Sequence, residues 1–273
     1  MNKSEIRVVE HNSCRLCHSN ELEELFSLGN QYINNFVPKE QIGEGLKAPL
    51  DLVMCNNCSL IQLKHTAPQE LLYSRFYWYR SGVTETMRNE LKDITNAIEN
   101  EVVLESGDVV LDIGANDGTL LDSYFTQGLK CVGCEPADNL IESLSKKTDY
   151  VMHDFWSYES YVNQQEKWNI GKAKVITAIG MFYDLEDPNQ FIKDAQKCLA
   201  EDGVFVAQLM CLKSMLEKND LGNICHEHLE YYSLVSLKYL FETNGLEMFK
   251  IEENNVNGGS YRIFARHYQG TGV

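Results

Sequence analysis

The chain of 273 residues is 44% hydrophobic and 23% charged, enough apolar material for one large domain or a large domain with a small one. Forty Asp+Glu against 24 Lys+Arg leave a formal net charge of −16, which argues against nucleic acid as a partner, since phosphate neutralisation drives that binding. The longest apolar run, GVFVAQLMCL at 203–212, is too short to span a bilayer, and the opening MNKSEIRVVEHNS lacks the apolar stretch of a signal peptide. The expectation is a soluble cytoplasmic protein without a membrane partner, its nine cysteines reduced or metal-bound.

Residues 1–81 show little helical periodicity and read as a small, loop-rich module. It carries two knuckles, Cys14-x-x-Cys17 and Cys55-x-x-Cys58, separated by 37 residues. Paired CxxC spacing matches a closed, tetrahedral structural zinc site, and a module this small needs such a staple. The bland alternative is four ordinary buried cysteines. A third pair, Cys131 and Cys134, falls inside an apolar strand and reads as core, as do Cys198 and Cys211.

The aromatic run Phe76, Tyr77, Trp78, Tyr79 follows. Phe76 and Trp78 are expected to pack the module onto the main domain, while the phenols of Tyr77 and Tyr79 could reach a ligand. Arg80, Ser81 and Gly82 then open a helix over 83–101, in which Met87, Leu91, Ile94 and Ile98 recur at spacings of three and four. From there to Val273 short apolar runs alternate with helical segments. The runs 108–114, 130–136, 150–153, 173–180 and 203–210 predict parallel strands, and helices are expected near 117–128, 138–147, 187–199 and 233–244. Two last strands, 247–252 and 259–267, predict an antiparallel hairpin at one end of the sheet.

The sharpest signal is VVLDIGANDGTLL at 109–121. An apolar strand ends at Asp112, and Gly114, Asn116, Asp117 and Gly118 form a turn that lets a ligand approach the backbone. A dinucleotide fingerprint would have glycine where Asn116 stands, which disfavours a pyrophosphate. Glu135, at the end of the second strand, can accept both hydroxyls of a ribose. Two acidic strand ends around a glycine turn suit S-adenosylmethionine, a ligand with an ammonium and a sulfonium but no phosphate.

NICHEHLEYYS at 223–233 sets His226, Glu227 and His228 together. The spacing does not match the i, i+4 histidines of zinc proteases, so it leaves open a metal clamp, a proton-handling pair or a polar turn leading into a helix capped by Ser233.

With these residues assembled, the chain resembles the family of C-methyltransferases that act on nucleotide-linked 4-keto-deoxysugars. The cysteine module, YWYRSGVTETMR (77–88), LDIGANDGTLL, GCEPAD (133–138), HDFW (153–156), CHEHLEYYSL (225–234) and NVNGGSYRIF (255–264) occur in that family's order. The resemblance implies an α/β fold: a class I, Rossmann-like methyltransferase domain carrying a zinc-binding lobe. It implies S-adenosylmethionine and structural zinc as cofactors, and a nucleotide sugar, methylated at C-3 through an enolate, as the substrate. His228 is then the expected general base, with Glu227 tuning it and Tyr77 and Tyr79 near the reacting atoms, while His226 is structural. Pro136, Asp154, Phe155 and Ile179 are expected beside the donor, and Arg80, Ser81 and Gly82 against its carboxylate or a sugar phosphate. AIGMFYDLED (178–187) departs from the family, which carries an asparagine and a histidine there. Family members also continue into a third domain beyond the point where this sequence ends. Alternatives are O-methylation of another small molecule, or a non-catalytic binding partner.

Overall fold

The computed structural model describes residues 8–33, 39–41, 45–68, 72 and 77–269; the packing expected of Phe76 lies outside them. The N-terminal module is not loop-rich. Strand β1 (Val9–Glu10) precedes β2 (Leu22–Tyr32), β3 (Lys47–Cys55), β4 (Ile61–Leu63) and β5 (His65–Thr66). β2, β3 and β4 form an antiparallel sheet, and β1 pairs with β5. β2 is hard to read from sequence because it is an outer strand exposed along nearly its whole length, so no apolar alternation marks it.

The remainder begins with α1 (Glu85–Glu101), capped by the Thr84 side chain and buried through Leu91, Ile94 and Ile98. Then follow β6 (Val109–Ile113), β7 (Lys130–Cys134), α2 (Ile141–Leu144), β8 (Tyr150–Met152), α3 (Tyr158–Trp168), β9 (Ala173–Ile179) and α4 (Pro188–Cys198). β10 (Leu199–Met210), α5 (Leu212–Lys218), β11 (Glu230–Tyr231), α6 (Leu234–Thr243), β12 (Leu246–Asn254) and β13 (Ser260–His267) complete the chain. Seven strands join in the order β12-β13-β10-β9-β6-β7-β8, parallel except for the β12–β13 hairpin at one edge. The order reverses between β6 and β9, so a crevice opens beyond their carboxyl ends. Ser233 caps α6 in a capping box with Ser236.

One expected helix is absent. Over 117–128 the chain makes only a short 3-10 turn, Leu121–Ser123. Asn116 and Gly118 are left-handed, and the Glu99 carboxylate of α1 accepts from the Phe125 and Thr126 amides, drawing the segment off a helical path. Trp78, expected to pack between the lobes, is 59% exposed.

Two contacts make the lobes one body. β11 pairs with β4 and becomes the fourth strand of the N-terminal sheet, so that sheet draws on residues from both sides of 81/82. The cysteine knuckles share a continuous core with the large sheet. At its centre the buried ring of Phe182, just past β9, stacks on Phe241 at 6.0 Å and meets Phe191, Phe205 and Tyr232. Phe182→Ala is expected to lower the unfolding free energy by about 3–5 kcal/mol in denaturant titrations, because so enclosed a site cannot collapse around the cavity; a loss under about 1 kcal/mol would show the core to be loose.

Candidate functional site: an acidic cleft and a buried histidine segment

β6 delivers Asp112 into the crevice, where Thr177 of β9 donates a hydrogen bond to its carboxylate at 2.6 Å. The turn beyond is left-handed at Gly114, Asn116 and Gly118. A Cβ on Gly114 would stand 3.0 Å from Met181 Cγ, so close approach as well as φ requires glycine there. Glu135 at the end of β7 is fixed from both sides, its oxygens accepting from the Asn116 and Ala137 amides at 2.9 Å. Residues 79–82 close over the turn: Asn116 Nδ2 donates to the Tyr79 carbonyl, Ser81 N to Asn116 Oδ1, and Gly82 N to Asp117 Oδ2.

These elements enclose a cleft of about 570 Å³. Tyr77, Tyr79, Ser81, Asp112, Gly114, Asn116, Glu135, Pro136, Phe155 and Ile179 line it, as the sequence leads one to expect. Five expected donor residues stand behind its walls instead. Asp117 and Gly118 shape the turn, and a Cβ on Gly82 would strike Thr119 Oγ1 at 2.6 Å. Arg80 reaches away to Ser143 Oγ and the Asn139 carbonyl, and Asp154 accepts from the Phe155 amide, setting that ring's position. Asn257, in a turn whose open backbone the sequence sets near the cleft, lines it too, whereas sequence reasoning missed Glu90, Gln208 and Ser260. Gln208 is held by the guanidinium of buried Arg262, which also pairs with Glu90 at 3.0 Å. The one available signal was a glutamine inside the apolar run FVAQLM.

Among the described residues, seven carboxylates and no lysine, arginine or histidine line the cleft. Burial and the neighbouring Glu135 push Asp112 up to about 7, although Thr177 pulls the other way. Glu135 is also raised by burial, opposed by its two amide donors. At Asp112 and Glu135 the cleft rewards a cation, which relieves the buried carboxylates. Flat apolar and aromatic walls, glycine turns and carboxylates at two strand ends fit an adenosyl sulfonium.

The histidine segment lies at the cleft's edge. Tyr183, which lines the cleft, meets the His228 ring edge-on with centroids 4.6 Å apart. The Tyr183 carbonyl accepts from both the Leu229 and Glu230 amides. His228 Nδ1 lies 2.7 Å from the Asn223 carbonyl, which fixes the proton on Nδ1 and leaves Nε2 as the basic nitrogen. Burial lowers the His228 pKa below its usual 6.5, so the ring is neutral at pH 7. His226 is buried, with Nε2 3.1 Å from the Ala48 carbonyl of β3, and serves as an anchor. Burial, with the carboxylates of Asp184, Glu227 and Glu135 nearby, holds the Tyr77 phenol well above its usual range. Cys225, which spacing did not single out, brings its thiol within 4.8 Å of ligand atoms of Glu227 and His228. Burial, with the Glu227 carboxylate adding to it, pushes that thiol up to about 11.

The four knuckle thiols fit zinc. Their sulfurs lie within 4.8 Å of one another, with Cys14–Cys58 at 3.5 Å and Cys17–Cys55 at 3.4 Å. A tetrahedral Zn–S shell has edges of roughly 3.8 Å, whereas a disulfide would need about 2 Å. Both knuckles turn through a left-handed residue just past the second cysteine, His18 and Ser59.

A sheet with this strand order and a donor-sized cleft at its switch point define the Rossmann-like methyltransferase class. A family model described as "Methyltransferase domain" matches residues 83–251, and the chain belongs to that family. A second, described as "Putative zinc binding domain", matches residues 14–73. The chain is 27% identical, over 92% of its length, to C-methyltransferase NovU from Streptomyces niveus, and spans 60% of that relative. Magnesium protoporphyrin IX methyltransferase (ChlM) from Synechocystis PCC 6803, solved with bound SAH, matches at TM-score 0.50 and 10% identity over 70% of this chain and 91% of that one. Mitomycin 7-O-methyltransferase MmcR matches at TM-score 0.51 and 14% identity over 67% and 54%. At those identities the two structures speak to the fold. Among the described residues no helix is long and apolar enough to cross a membrane.

S-adenosylmethionine is expected to bind about tenfold more weakly at pH 6 than at pH 8, because protonation of Asp112 removes the charge that meets the cation. Asp112→Asn should weaken binding and flatten that profile in calorimetry; a wild-type profile already flat would contradict the assignment. Purified protein is expected to hold one zinc per chain by atomic emission, and Cys55→Ser to lose most of it. Retention of zinc by that variant would place the metal elsewhere.

Proposed function

We propose that the protein is an S-adenosylmethionine-dependent C-methyltransferase acting on a nucleotide-linked 4-keto-deoxysugar at C-3, by way of an enolate. The observation that carries this reading is a neutral, Nε2-basic His228 packed edge-on against Tyr183, which itself lines an acidic, donor-sized cleft. The likeness to C-methyltransferase NovU supports transfer to carbon.

When bound, the donor supplies an electrophilic methyl group on sulfonium. Asp112 and Glu135 would hold its cationic and ribose ends, and Phe155 would meet its adenine. His228 Nε2 takes the proton from the carbon beside the ketone, and the electron pair moves into the enolate. Collapse of the enolate forms the carbon–methyl bond as the sulfur–methyl bond breaks, and the sulfur keeps the electron pair. Protonated Tyr77 and Tyr79 supply O–H donors toward the enolate oxygen; the raised Tyr77 pKa keeps that proton in place at neutral pH. Glu227 stabilises the imidazolium that forms. Holding carbon and methyl in line is worth ~7–11 kcal/mol, so no covalent intermediate on the protein is needed.

His228→Ala is expected to lower turnover by roughly 10²–10⁴-fold, the range of a general base, while donor affinity stays within a factor of about three. The acid limb of the wild-type pH–rate profile should fall below 6.5, since burial lowers the ring's pKa and the base must be unprotonated. Product NMR should show the new methyl on carbon. Undiminished turnover in the variant, or a methyl on oxygen, would reject this reading.

A further inference from the structure

The donor site draws on one lobe, whereas the base segment is held from both, by the Tyr183 carbonyl on one side and by the N-terminal sheet on the other. The donor turn is built from residue 77 onward: Tyr79, Ser81 and Gly82 on Asn116 and Asp117, with Glu135 behind. The segment around His228 leans on residues 14–66. Two residues past His228, β11 begins as the edge strand of the N-terminal sheet, with Glu230 opposite Gln62 and the Leu63 amide donating to the Leu229 carbonyl. On the other side of His228, the ring of His226 meets the Ala48 carbonyl of β3.

A buried ion pair ties this strand to the cysteine cluster. Arg15 follows Cys14 directly, is 5% exposed, and sets Nε 3.7 Å from the carboxylate of Glu230, which is fully buried. The rest of Arg15 is held as tightly. Its amide donates to Gln62 Oε1, and its guanidinium donates to the Leu63 carbonyl and to Thr66 Oγ1. Asn189 of α4 grips the same knuckle from the other lobe, donating to the Arg15 and Leu16 carbonyls. Burial pushes the Glu230 carboxyl well above the usual carboxylate range although Arg15 pulls it down, so the pair is weak as a source of stability and best explained as a device that fixes one geometry.

We propose that the zinc lobe is the scaffold that presents the candidate base to the cleft, with Arg15 and Glu230 as the positioning residues that link the cysteine cluster to His228. The proposal rests on the reading of His228 as the base. Metal occupancy then governs the chemical step and leaves donor binding alone. Without the cluster, Arg15 loses its fixed backbone, Glu230 loses its partner, and β11 is released from β4 with the ring attached.

The test uses the full chain in zinc-loaded and zinc-stripped forms, compared by hydrogen exchange and by calorimetry with S-adenosylmethionine. Stripping should raise exchange at Leu229–Tyr231 at least tenfold while the donor dissociation constant stays within threefold. Protection of that segment in folded, zinc-free protein would overturn the proposal. Should stripping unfold the whole chain, the double variant Arg15→Met/Glu230→Leu decides, because replacing both partners leaves no lone buried charge. It should keep its zinc and its donor affinity, show the same rise in exchange at Leu229–Tyr231, and lose at least tenfold in turnover of a nucleotide-linked 4-keto-deoxysugar. Wild-type exchange and turnover in the double variant would overturn the proposal. Unchanged turnover in His228→Ala, with the exchange results as expected, would reject the base and leave the scaffold standing.

Discussion

The Tyr183 carbonyl accepts two successive amides, those of Leu229 and Glu230, and the strand that begins there completes a sheet belonging to the other lobe. The placement of the His228 ring at the cleft's edge depends on this junction. A single short strand closes the edge of the N-terminal sheet, satisfies backbone groups that would otherwise be buried unpaired, and holds a histidine ring against the wall of the cleft. The junction also explains why a small cysteine module is fused to a methyltransferase domain. Its sheet is too small and too exposed to stand alone, and the metal site stabilises the one face that the larger domain uses.

The electrostatics of the cleft follow from burial. Burial raises the Asp112 and Glu135 carboxyls, with Glu135 adding to the rise at Asp112, and a cationic ligand relieves both. The glycine turn adds backbone approach without adding positive charge, which separates this site from phosphate-binding turns on similar folds. An imidazole lowered in pKa by the same burial is ready to accept a proton at neutral pH. One physical cause, burial, therefore acts on both the carboxylates of the cleft and the ring at its edge.

Much of this was legible in the sequence. The strand run at 108–114 with its glycine turn, the Glu135 strand end, the CxxC pairs and the closing hairpin read directly, because each rests on a local pattern of charge, glycine or period. What failed was non-local. The helix expected at 117–128 yields to two left-handed residues and to Glu99, a partner from α1. β2 hides because an exposed outer strand has no apolar period. Arg80 looks like a ligand clamp in sequence, and only the fold shows it spent on Asn139 and Ser143. Arg15 and Glu230 lie more than two hundred residues apart, and no local signal announces a buried pair at that range.

The central claim is that His228 removes a proton from the carbon beside the substrate's ketone before any methyl group moves. Deuterium wash-in isolates that step. With S-adenosylhomocysteine in place of the donor and a nucleotide-linked 4-keto-deoxysugar in heavy water, NMR should show deuterium entering C-3 with the wild-type protein and not with His228→Ala. Equal exchange in both, or none in a wild-type protein that methylates carbon, would contradict the account.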